Sequence, residues 1–178
     1  KYNVSINDYL VACFVWSVYK ECYHGMPGNL PIRVAVPVNL RPYFDSVTTK
    51  NFFVMISAEF TPTKQTYTFE EVLSCVTESI KAQISKEHLE DLFSYSVSNQ
   101  KNIWMRPVPL FIKNIAMKAV YSQSAVANTT TITNIGNIKV EKEYEQYIKQ
   151  FYAFIPMSKG QPMKGTICSY KDTLVFSF

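Results

Sequence analysis

Histidine and glycine are scarce in this chain, no two cysteines stand at metal-binding spacing, and no run of like charge occurs. Each shortage removes a class of function. The two histidines, His24 and His88, and the four cysteines, Cys13, Cys22, Cys75 and Cys168, include no CxxC pair. No zinc-ligand set can be built from them, and no metal is expected. Five glycines supply neither a GxGxxG nor a Walker loop, so no glycine turn is available to cradle a phosphate. The net charge of +4 is mild and scattered, without five consecutive basic residues, which argues against a nucleic-acid partner. The longest apolar run, Leu10 to Val18, is too short to span a bilayer and is flanked by Asp8 and Lys20. Cys13 and Cys75 sit inside apolar patterns and are expected as buried thiols. Unpaired cysteines of this kind fit a reducing, cytoplasmic compartment.

What the chain has is apolar material. Hydrophobic residues make up 47% and charged residues 18% of 178, with 12 Phe and 12 Tyr. A domain near this size buries about 70% of the surface its unfolded chain exposes. Residues 1–178 therefore read as a single domain with a substantial core. So many aromatics suit a thick sheet-and-helix core, or a face that meets a partner and otherwise drives self-association. The first residue is Lys1 and the last residues lie inside an apolar strand pattern, which reads as truncation at both ends.

Ser5 can cap a helix whose positive end favours Asp8. That helix is apolar nearly all round, the pattern of a buried one, and Gly25, Pro27 and Gly28 end it. Pro31 to Leu40 alternates as a strand, with Ile32, Val34, Val36 and Val38 on one face; Pro37 points to an edge or a strand end. Phe52 to Phe60 is a second strand, apolar on both faces near its start and hence expected in the sheet centre. Thr68-Phe69-Glu70-Glu71 is a capping box for a helix striped with Val72, Val76, Ile80 and Ile84. A helix from Lys86 to about Asn102 follows, with Leu89, Leu92 and Phe93 inward. Pro107 and Pro109 open another, whose expected buried face is Ile112, Ile115, Ala116, Ala119 and Val120. Thr129 to Asn134 reads as a strand ending in a turn at Asn134-Ile135-Gly136-Asn137. Tyr144 to Phe154 reads as a short helix and then a strand. Met163–Tyr170 and Thr173–Phe178 form a hairpin turning at Lys171-Asp172. The order implies an α/β (α+β) fold: a mixed sheet with helices packed on one face.

No active site assembles from these residues alone. Neither histidine stands near a serine or cysteine nucleophile in sequence, Glu59 is expected to face solvent, and no carboxylate pair has a meaningful spacing. Two stretches stand out. Val36-Pro37-Val38-Asn39-Leu40-Arg41-Pro42 is a strand that delivers an amide and a guanidinium to one side of its end. The plainer account is an arginine that ties down a neighbouring loop. In Thr131-Ile132-Thr133-Asn134-Ile135-Gly136-Asn137, hydroxyls alternate along a strand into ordinary turn chemistry.

Together with Ser5-Ile6-Asn7-Asp8-Tyr9-Leu10-Val11-Ala12, Lys50-Asn51-Phe52-Phe53 and the late strands from Gly165 to Phe178, these stretches resemble the second half of chloramphenicol-acetyltransferase-like acyltransferases. The likeness is to condensation-domain and alcohol acetyltransferase types: a T-x-N-D-x-L-x-A helix, a VNLRP strand, a GN strand start and an SNxG segment, in order along nearly the whole chain. It implies a sandwich of two similar halves with a tunnel between them, entered by acyl-CoA (a substrate, with no other cofactor) from one side and an alcohol from the other. The family's catalytic base is a histidine with Asp-Gly four and five residues on, in an H-x-x-x-D-G motif. Neither His24 nor His88 has that sequence, so the resemblance puts the base in a missing N-terminal half and no catalytic residue here. It also implies one more helix beyond Phe178. Asn39, Arg41, Thr133, Asn134 and Gly136 are carried over as tunnel-lining residues, Thr133 and Asn134 opposite the base. Acceptance of carrier-bound amines, as in peptide synthetases, and a non-catalytic interaction module are the alternatives.

Overall fold

A computed structural model describes residues 2–101, 107–125, 127–158, 161 and 163–178. Its elements run α1 (Ile6–Cys22), β1 (Ile32–Asn39), β2 (Phe53–Phe60), α2 (Phe69–Gln83), α3 (Lys86–Lys101), α4 (Leu110–Ala125), β3 (Thr130–Asn137), α5 (Lys142–Glu145), β4 (Gly165–Tyr170) and β5 (Thr173–Ser177). The five strands form one mixed sheet in the order β2-β1-β3-β4-β5. β1 and β2 are antiparallel, as are β4 and β5, while β3 runs parallel to both β1 and β4. This is the α/β layering expected from the order of elements.

Strand alternation decides the layers. Ile32, Val34 and Val36 of β1, with Val54, Ile56, Ala58 and Phe60 of β2, turn one face of the sheet into the core. Val11, Val15 and Tyr19 of α1 and Val72, Val76 and Ile80 of α2 cover that face. Ser5 caps α1, its Oγ accepting from Asp8 N at 3.0 Å. Thr68 and Glu71 form the reciprocal capping box of α2. The hairpin turns at Lys171, whose φ of 52° tightens the two-residue connection between β4 and β5.

Several expectations are corrected. Only one side of α1 is buried; Leu10, Cys13, Phe14 and Val18 are half-exposed and Ile6 is exposed. β2 is an edge strand and not a central one, because the apolar Phe53 and Met55 that mimic a doubly buried pattern stand exposed on the open face. Pro37 lies in the second strand of the sheet, yet β1 pairs with β3 only at Val34 and Ala35, so on that side its end is free. The face expected to be buried on α4 is exposed: Ile112, Ile115, Ala116, Ala119 and Val120 all face solvent. The turn at 134–137 is instead a β-bulge inside β3, and the strand expected before Phe154 does not form. Asn102 and the residues up to 106 lie outside the described residues. Cys168 is the buried thiol, whereas Cys13 is half-buried and Cys75 exposed.

The free edge of β2 is not left to water. Gln83 of α2 accepts from Ser57 N at 3.1 Å through Oε1 and donates to Ser57 O at 2.8 Å through Nε2. Ser79, one turn earlier, accepts from Glu59 N at 3.0 Å. Three outward backbone groups, two N–H and one C=O, are thus satisfied by side chains four residues apart on one helix, which blocks strand addition there.

Candidate functional site

β1 and β3 begin side by side and then separate. Their parallel pairing ends after Val34–Thr130 and Ala35–Thr131; beyond it β1 stays with β2 and β3 stays with β4. A cavity of about 560 Å³ opens where they splay, at the carboxyl ends of two parallel strands that pair outward in opposite directions. That is the position at which open α/β sheets bind ligands.

Four of the five residues carried over from sequence border this one cavity: Asn39 and Arg41 from the end of β1, Thr133 and Asn134 from β3. Gly136 is not among its lining residues. Its φ of +81° makes the bulge, and its N–H donates to Asn134 Oδ1 at 2.8 Å. The rest of the wall is mostly apolar, including Phe52, Phe53, Met55 and Ile155. Sequence reasoning missed these, since Phe53 and Met55 make the strand look apolar on both faces and Ile155 lies just past the segment Tyr144 to Phe154 that reads as a helix and strand.

The polar groups have distinct jobs. Arg41 is an internal latch: its guanidinium donates to Thr48 O at 3.2 Å and Lys50 O at 2.8 Å, holding the 42–51 loop closed. Asn39 Oδ1 accepts from Arg41 N at 3.1 Å, which leaves the amide nitrogen of Asn39 as a donor. Thr133 stands on the open face of the sheet, and no hydrogen bond involves its hydroxyl among the described residues. Among the lining residues only Arg41 ionises, and the lining includes neither His24, beyond the end of α1, nor His88, in the first turn of α3. The cavity therefore offers hydrogen-bond donors and apolar surface, and no proton acceptor of its own with a suitable pKa.

A larger polar recess of about 770 Å³ follows the β2 edge. Its charges are spent on each other, Arg33 Nε and Glu59 Oε2 standing 2.8 Å apart at the surface, where such a pair contributes little. Its one thiol, Cys75, is pushed above the usual 9.0 by partial burial and by the carboxylates of Glu78 and Glu71, the reverse of nucleophile activation. Among the described residues no cluster of His, Cys, Asp or Glu can hold a metal ion, and no helix is long and apolar enough to cross a membrane.

Known family models, curated proteins and solved structures yield no match to this chain.

Proposed function

We propose that this chain is the C-terminal half of a CoA-dependent O-acyltransferase, forming the tunnel wall that faces a catalytic histidine carried by another half. One observation supports the reading above the rest. Two motifs far apart in sequence, Asn39/Arg41 and Thr133/Asn134, border one cavity at the carboxyl ends of β1 and β3. In the proposed reaction the histidine of the other half removes the proton of an alcohol. The alkoxide oxygen bonds to the thioester carbon through one of its electron pairs, and the C=O π pair moves onto the carbonyl oxygen. Collapse of that oxyanion breaks the C–S bond and releases CoA thiolate, which takes the proton back from the histidine. On this reading this half supplies the donors to the developing oxyanion, the Thr133 hydroxyl and the Asn39 amide, whose residues both border the cavity. Arg41 serves by position, since its latch holds the loop that leads to Asn51 and Phe52 in the cavity wall.

The test is kinetic, on an enzyme that also carries the histidine half. Thr133→Val keeps the volume and removes the hydroxyl. We expect kcat to fall by about 100-fold with KM little changed, the usual signature of a lost oxyanion donor. An unchanged kcat removes Thr133 from the mechanism. The exposed Phe53 and Met55, together with the apolar side chains of α4, favour a second reading as a non-catalytic interaction module. A complete parent protein that lacks the histidine motif would select it.

A further inference from the structure

The two edges of the sheet are finished differently. Along β2, Ser79 and Gln83 bond the outward backbone groups. Along β5, no backbone or side-chain hydrogen bond reaches the outer edge of Thr173–Ser177 among the described residues; the strand pairs with β4 alone. An open row of N–H and C=O groups is complementary to another extended backbone. Beside this edge an apolar groove of about 460 Å³ separates α1 from the hairpin. Leu10, Phe14 and Val18 form one wall; Phe176, packed directly on Gly165, and Phe178 form the other.

We propose that β5 pairs antiparallel with β5 of a second copy of this chain, joining two five-stranded sheets edge to edge across a two-fold axis. Three observations choose this occupant. Residues 173–178 carry no ionisable side chain, so self-pairing brings no like charges together and a charged foreign strand finds no complement. The alternate residues Leu174, Phe176 and Phe178 are 46%, 36% and 81% exposed, and a two-fold axis sets these apolar side chains and the grooves they border side by side, covering both at once. Ser79 and Gln83 of α2 occupy the Ser57–Glu59 stretch of the other outer edge, so strand addition is blocked there and favoured at β5. The inference does not rest on the acyl-transfer reading.

Sedimentation velocity on this chain, across a wide concentration range, tests it. We expect a monomer–dimer equilibrium without larger species. Leu174→Lys and Phe178→Lys, both at exposed positions, should each raise the dimer Kd by about tenfold or more, with the circular dichroism spectrum unchanged. The double variant Ser79→Ala, Gln83→Ala opens a second edge and should add species larger than a dimer. A strict monomer overturns the proposal. So does a dimer indifferent to both lysines, or one dissociated instead by Phe53→Lys on the opposite face.

Discussion

Arg41 shows why a residue's partners matter more than its charge. A guanidinium at a strand end invites an anion, yet two of its hydrogen bonds go to the carbonyls of Thr48 and Lys50. Arg41→Ala should therefore loosen the loop more than it weakens anion binding. At an exposed position we expect a loss of about 1 kcal/mol in chemical denaturation, with faster amide exchange over residues 42–51. Retained protection in that loop would refute the latch. Much at this scale was legible in sequence. Period-2 alternation puts Asn39 and Arg41 on one side of a strand end, and the loop-tying account of Arg41 follows from its reach. Gly136 was misread because Asn-x-Gly is a turn signal; here the Asn134 side chain satisfies the glycine N–H inside a continuing strand, and the extra residue becomes a bulge.

At the scale of elements, capping chemistry was the most readable feature. The Thr68–Glu71 box stands as the residues predict, because both partners are local and no tertiary contact competes. It also carries a pH dependence. The Thr68 N–H, bonded at 2.8 Å, and then Lys64 hold the Glu71 carboxyl below the usual 4.5. A depressed folded value means that the stabilisation is present above 4.5 and is lost as pH falls through the folded value. Glu71→Gln should lower Tm at neutral pH, and the gap from the parent should narrow below 4.5; a gap independent of pH would contradict the assignment. The element readings that failed needed tertiary information. An apolar open face makes an edge strand such as β2 look central. Likewise, α4 shows apolar spacing, yet its apolar side chains stand exposed.

For the whole molecule the consequence is an α/β layer finished on one face and incomplete on the other. α1 and α2 cover β1 and β2, while on the opposite face Phe53 and Met55 stand beside the cavity that Asn39 and Thr133 border. The layer order was readable from the alternation of elements. The splay of β1 from β3 was not, since nothing local marks where two distant parallel strands part. In the proposed function this chain supplies wall and donors while the base comes from another half. Thiol release from acetyl-CoA with a panel of alcohols, run on this chain alone and on the longer polypeptide carrying the histidine half, tests it most directly. We expect turnover by the longer polypeptide and none by this chain; turnover by this chain alone would overturn the proposed division of roles.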